Sequence, residues 1–273
     1  MLDEWQKDFV SSVERIVGAN WLSKRPPIRV LDMGCDPSGR QLRELTRVTS
    51  GQITGINIPH GFPTPEAEAV AGPQVSLINM DGMQLQFPAG SFDLVVSCNV
   101  LEHVPDPARF LSEAARVLKP GGLCFMETAP VWTGPRGHHV MQYMISENLP
   151  HEQNFREDGS IIPDWGHLKF SREEMSAVIG DRVLPETRDY ILWYLYDSGD
   201  LNRWSFRQIR EAFSSCFPLI SLSGRSIAGV DMSLLPGDQA EDYSVYGYSC
   251  IARKKPQNPL LKRLCWRLRR LGL

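Results

Sequence analysis

The sequence predicts an α/β fold: a mostly parallel sheet with helices on both faces. Three observations carry this. An apolar run, Ile28, Val30 and Leu31, ends in Asp32 and breaks into a loop holding Gly34, Pro37 and Gly39 before the helical spacing Leu42, Leu45, Val48, which reads as strand, tight loop, helix. The run Phe92 to Cys98 is apolar almost without alternation, as a central parallel strand covered on both faces must be. The stretch from Asp106 to Glu127 then supplies a capped helix, a Lys-Pro-Gly-Gly turn and another strand.

The elements follow in order. Trp5, Phe9, Val13 and Ile16 or Val17 form one stripe, an amphipathic helix that either covers a ligand or packs on the sheet. Gln52 to Ile58 reads as the second strand and Val75 to Ile78 as the third, with Thr64 and Pro65 capping a short helix between them. Asp106 and Pro107 start a helix carrying Phe110, Leu111, Ala114, Val117 and Leu118. Lys119, Pro120, Gly121 and Gly122 are expected to stop it, before a strand from Leu123 to Glu127. Ser171 with Glu174, and Ser205 with Gln208, are capping boxes for two later helices. Leu219 to Ile227 and Tyr243 to Ala252 close the sheet as an antiparallel pair.

Asp32 indicates the ligand. A carboxylate at the end of the first strand repels a pyrophosphate and attracts an ammonium or a sulfonium. S-adenosylmethionine carries both cations and no phosphate, whereas a nicotinamide dehydrogenase is disfavoured by Asp32 and by the missing G-x-G-x-x-G. With Asp32-Met33-Gly34-Cys35-Asp36-Pro37-Ser38-Gly39 and the pairing of Asn99-Val100-Leu101-Glu102-His103-Val104 with Val117-Leu118-Lys119-Pro120-Gly121-Gly122, the chain resembles the class I S-adenosylmethionine-dependent methyltransferases. The likeness is strong from about Ile28 to Glu127. It departs from the family at Asp36, which stands where a second glycine is common.

The resemblance implies a Rossmann-like sheet of seven strands and a cofactor site made of Asp32, Gly34, Cys35, Gly39, Asn57, Ile58, Asp81, Gly82, Met83, Cys98, Asn99 and Val100. Asn57 replaces the family's acidic ribose ligand and offers only an amide oxygen; an Asn chosen for the turn into Pro59 explains it nearly as well. Asp81 matches the acceptor for the adenine amino group. His103 either touches the cofactor or bonds within its own loop, and the second reading is preferred.

The resulting division is an N-terminal helix (1–25), the cofactor half (26–130), a substrate-capping insertion (131–204), the last helix and strands (205–256) and a basic tail (257–273). The insertion and its edge, Trp132 to Phe206, hold eleven of the 25 aromatics and four of the six histidines. Flat aromatic faces suit sugars or planar ligands. His138, His139 and His167 are the candidate general bases for a hydroxyl nucleophile, with His151 weaker; no metal is expected, since a His138 or His139, His167 and Asp164 set has no recognisable ligand spacing.

At 273 residues and 42% hydrophobic content the chain can bury a full core. Its six cysteines are scattered without a C-x-x-C pair, which fits reduced core positions in a cytoplasmic protein. No signal peptide or span-length apolar run is visible. Residues 253–273 carry eight basic and no acidic side chains, so the net charge of −3 leaves −11 on residues 1–252. An acidic body argues against nucleic acid. The tail's leucines share one face opposite its arginines, the pattern of a helix lying on the inner face of the cell membrane or docking on protein. The expected activity is O-methylation of a polar acceptor such as a sugar of a surface glycan or glycolipid. A quinone or phenolic lipid-like acceptor, or a cofactor-binding scaffold that has lost its chemistry, are the alternatives.

Overall fold

The structure, a computed structural model, describes residues 2–19, 27–58, 62–141, 161–227, 235 and 240–256. The basic amphipathic stretch 257–273 and His151 lie outside the described residues.

Seven strands form one sheet in the order β3-β2-β1-β4-β5-β7-β6. β1 (Arg29–Met33), β2 (Gln52–Asn57), β3 (Val75–Asn79), β4 (Phe92–Cys98) and β5 (Leu118–Thr128) run parallel. β7 (Val245–Arg253) is antiparallel to both β5 and β6 (Leu219–Ser226). This is the Rossmann-like seven-stranded arrangement that the resemblance implies, and its order reverses between β1 and β4, where ligands of open parallel sheets bind.

One face of the sheet is covered by α1 (Glu4–Ala19), α2 (Arg40–Thr49) and α3 (Pro65–Glu68). Phe9, Val13, Ile16 and Val17 of α1 are buried, and the Phe9 ring stacks on Phe125 of β5 at 5.2 Å. Of the two readings of this helix, packing on the sheet is the one observed. The other face is covered by α4 (Pro107–Val117), whose Phe110, Leu111, Ala114 and Val117 are buried. The Asp106 side chain accepts from Arg109 N, as its position before Pro107 predicts.

The turn expected at Lys119–Gly122 is instead a bulge inside β5: Leu118 pairs with Phe92, and the register shifts before Leu123 meets Leu94. Lys119 Nζ bonds Asp93 at 2.7 Å, so the basic charge at the end of α4 comes from Lys254, whose Nζ donates to the carbonyls of Arg116 (3.0 Å) and Leu118 (2.7 Å).

Between β5 and β6 the insertion forms α5 (Gly166–Lys169), α6 (Arg172–Ile179) and α7 (Pro185–Tyr196), followed by α8 (Phe206–Cys216), which joins α4 on the sheet. A short helix, α9 (Ala240–Ser244), occupies the first residues of the strand expected from Tyr243. The insertion has its own core, Val140, Ile161, Ile162, Met175, Ile179, Val183, Ile191, Leu192 and Leu195. That core is aliphatic, with Phe170, Tyr194 and Tyr196 packed at its margins. Both capping boxes are present, Ser171 with Glu174 and Ser205 with Gln208. Ser171→Ala is expected to cost about 1 kcal/mol in urea-induced unfolding, because α6 then begins with an unsatisfied N–H.

Candidate active site

The carboxyl ends of β1, β2, β3 and β4 open onto one cleft, lined by Gly34, Ile56, Asn57, Ile58, Met80, Asp81, Gly82, Met83, Val100, His103, Val104, Pro105 and Phe110. Seven of the twelve expected cofactor residues face it: Gly34, Asn57, Ile58, Asp81, Gly82, Met83 and Val100. Asp32, Cys35, Gly39, Cys98 and Asn99 do not line it. Cys35 is fully buried in the α2 face with its sulfur against Gly55, and Gly39 packs on the backbone of Ala67. Cys98 is buried, and Asn99, at φ 51°, turns its amide oxygen to the Ala129 N–H at 3.0 Å.

The glycine of the first loop makes room for a neighbouring side chain. Gly34 sits at φ +79°, and a Cβ there would lie 2.4 and 2.6 Å from the two methyl carbons of Val100. The space left by the missing side chain is thus taken up by Val100. Gly82 is constrained in the same way by Phe110, whose ring edge would be 2.4 Å from an added Cβ. Each glycine lets an apolar side chain close one wall of the cleft.

The polar residues at the rim are braced by backbone. Asn57 donates to Cys35 O and accepts from Ile58 N, both at 2.8 Å, so its amide already serves the turn after β2. Asp81 accepts from Met83 N at 2.7 Å. Arg109 of α4 donates to Met83 O and Glu113 accepts from Leu85 N, which ties this loop to the helix beneath it.

Asp32 lies just behind the cleft at the end of β1. It is 1% exposed, its Oδ1 has no hydrogen-bond partner, and its Oδ2 receives only a 3.4 Å bond from Gln41. Burial pushes its pKa up to about 7; Gln41 opposes the shift and the Asp36 charge adds to it. A buried carboxylate oxygen with no donor is the feature a cationic ligand would satisfy. Together with the apolar walls, it fits the ammonium and purine of S-adenosylmethionine.

The three expected bases are elsewhere. His138, His139 and His167 are 0, 5 and 6% exposed and do not line the cleft. His138 Nδ1 accepts from Val140 N at 2.9 Å, and His139 Nε2 and His167 Nε2 donate to the carbonyls of Pro130 (2.9 Å) and Trp132 (2.6 Å). Burial is the main force lowering all three, His139 to about 3 and His167 to about 4, so they are neutral packing groups near pH 7. His138 and His167 contact each other at 5.3 Å, and Trp132 lies edge-on to His167. Asp164 pairs with Arg136, and among the described residues no group of three or more His, Cys, Asp or Glu is arranged to hold a metal.

His103, read in the sequence as a local loop residue, lines the cleft. Its turn, Leu101–His103, is fixed by the insertion: Asn202 N donates to Glu102 O at 2.8 Å, and Asn202 Nδ2 donates to Leu101 O (2.5 Å) and Val104 O (2.9 Å). Glu102 beneath it is buried, and burial raises its pKa to about 7 against the pull of His103 and the Thr128 hydroxyl. No sequence pattern links positions 202 and 101–104, so this clamp could not be read in advance. Ile56, Met80, Val104, Pro105 and Phe110 also line the cleft and are not among the residues expected to hold the cofactor.

Comparisons with known proteins agree with this geometry. The methyltransferase-domain family matches residues 31–126. Over 104 residues the chain is 38% identical to a sterol 24-C-methyltransferase of Yarrowia lipolytica, covering 36% of this chain and 27% of that protein. Over 144 residues it is 33% identical to an uncharacterized methyltransferase of Mycobacterium tuberculosis, covering 50% and 54%. The chain therefore spans at most about half the length of these curated relatives. In fold it is similar to phosphoethanolamine N-methyltransferase 2 of Haemonchus contortus, with a TM-score of 0.54 at 15% identity over 92% of this chain and 53% of that one. Residues 31–126 therefore hold a methyltransferase domain, and the cleft described above lies at the carboxyl ends of that domain's strands.

Proposed function

We propose that the protein transfers a methyl group from S-adenosylmethionine to a hydroxyl acceptor with an apolar body, phenolic or lipid-like. The observation that carries this is the pairing, at the sheet's switch point, of a buried unpartnered carboxylate oxygen on Asp32 with a cleft rimmed by the His103 imidazole. When bound, the cofactor supplies an electrophilic methyl on a sulfonium. Asp32 would face its cationic amino-acid end, and Asp81 its purine. Ile56, Ile58, Met80 and Phe110 supply apolar walls that exclude water, and alignment of the acceptor does the rest.

A glycan acceptor drew its support from the aromatics of the insertion and from the basic tail, and a groove lined by His138, His139 and His167 would have added to it; all three are buried. An apolar acceptor is also in keeping with the sterol methyltransferases among the relatives. Calorimetric titration with S-adenosylmethionine and S-adenosylhomocysteine, followed by labelled-methyl transfer to a panel of catechols, quinols and free sugars, tests the reading. Binding of both cofactor forms with label on the phenols is expected. Absence of binding would remove the reading, binding without label on any acceptor would leave the scaffold alternative, and label on the sugars alone would restore the glycan. Delivery to a membrane by residues 257–273 is a separate proposal; equal liposome flotation with and without those residues removes it.

No helix among the described residues is long and apolar enough to cross a membrane.

A further inference from the structure

Among the described residues, the insertion and the cofactor half meet at an ion pair. His103 Nδ1 lies 3.5 Å from Asp200 Oδ2, the histidine coming from the turn after β4 and the aspartate from the loop after α7. Each partner is held from behind. The Tyr194 hydroxyl of α7 bonds the Asp200 carboxylate, and Asp200 N donates to Ser198 Oγ at 3.1 Å. The His139 ring meets His103 edge-on at 5.2 Å between centroids, and its own Nε2 is tied to Pro130 O. Asn202, two residues beyond Asp200, fixes the backbone of the His103 turn. With an acceptor at Nδ1, the proton of the neutral ring resides there and the Nε2 lone pair is left free.

We propose that Asp200 is a positioning residue that fixes the tautomer and orientation of His103, and that His103 is the catalytic base for the acceptor hydroxyl. The inference rests on the methyl-transfer reading above. In the step, the acceptor O–H bond breaks and its proton passes to His103 Nε2. The oxygen's electron pair forms the new bond to the methyl carbon, and the pair of the broken carbon–sulfur bond stays on sulfur, leaving a neutral thioether. The imidazolium so formed faces the Asp200 carboxylate, which offsets its charge.

The other titratable groups around the ring agree with this division. Burial disfavours the His103 cation, but the Asp200 hydrogen bond and the Glu102 and Asp200 charges outweigh it, so its pKa is raised. His139 is held neutral by burial, and Asp200 is lowered chiefly by its bond to His103. Tyr194 is raised, by burial first and then by Asp200. Of the histidines described here, His103 is the one that both lines the cleft and is stabilised as a cation.

Imidazole nitrogen NMR on the full chain, without cofactor, reads the pair directly. In the wild type, His103 is expected to show the Nδ1–H tautomer and a midpoint above the free-histidine value. Asp200→Asn should lower the midpoint by about one unit and mix the tautomers, and Asp200→Glu should restore both in part. Turnover of whichever acceptor of the panel takes up label should fall about 10- to 100-fold in Asp200→Asn, with KM and the cofactor Kd unchanged, and the acid limb of kcat should follow the NMR midpoint. An unshifted His103 midpoint in Asp200→Asn overturns the positioning role. Full kcat in His103→Gln overturns the base. Because the NMR reading needs no cofactor, its failure is distinct from a failure of S-adenosylmethionine to bind, which would instead remove the methyl-transfer reading.

Discussion

Asp32→Asn is expected to stabilise the cofactor-free protein above pH 7 while weakening its hold on S-adenosylmethionine. Burial raises the folded-state pKa of Asp32 from 3.8 to about 7, so the folded protein holds that proton more tightly than the unfolded chain does. The associated stability is complete below about pH 4 and is lost as pH climbs through about 7. At ~1.4 kcal/mol per pKa unit, the loss is of the order of a few kcal/mol. Glu102, raised by burial from 4.5 to about 7, acts in the same direction. Replacing Asp32 alone should therefore reduce, and not abolish, the slope of the urea midpoint between pH 5 and 8.

Cofactor binding reverses the sign, because a cation beside Asp32 favours its ionised form. Wild-type affinity should rise from pH 6 to pH 8 with release of up to one proton, measurable by calorimetry in buffers of different ionisation enthalpy. An Asp32→Asn protein that keeps wild-type affinity and proton release would show that some other group meets the cofactor's charge.

Gly34→Ala should produce the second large effect, a loss of both stability and cofactor affinity. An L-residue at φ +79° is strained by about 1–2 kcal/mol, and the added Cβ would fall 2.4 Å from Val100 Cγ2. Val100 must then swing into the cleft or the loop must move away from it. Relief is available from the other side: Gly34→Ala combined with Val100→Ala should recover more cofactor affinity than the two single effects predict. Thermal unfolding and calorimetric titration of the four proteins form the double-mutant cycle that measures the coupling. Strict additivity would mean that the contact between these residues does not shape the site.

Most of the sheet was legible because its signals are local. Asp106-Pro107, the two Ser-x-x-Glu/Gln boxes and the apolar run Phe92–Cys98 each place an element end within a residue or so of where it is found. α7 was not anticipated. Its run Tyr190–Tyr196 is apolar on every side, with Ile191, Leu192 and Leu195 buried and Trp193 left 49% exposed, so it shows no stripe of period 3.6. The same limit governs the site. That Asp81 and Gly34 face a cleft follows from strand ends, but whether a histidine is a buried neutral group or a rim cation depends on neighbours distant in sequence. His138 and His167 are lowered by burial, whereas at His103 the opposing effect of burial is outweighed by Asp200 and Glu102, which raise it.

The three bonds from Asn202 to the backbone of residues 101–104 have a consequence for how this architecture can diversify. Because the cap and the rim of the cofactor cleft share one bolt, grafting a foreign cap onto this sheet would leave the carbonyls of Leu101, Glu102 and Val104 bare unless the graft brings its own amide to that spot. Exchange of acceptor preference by swapping caps should therefore succeed only when the junction segment around residues 200–202 travels with the host scaffold.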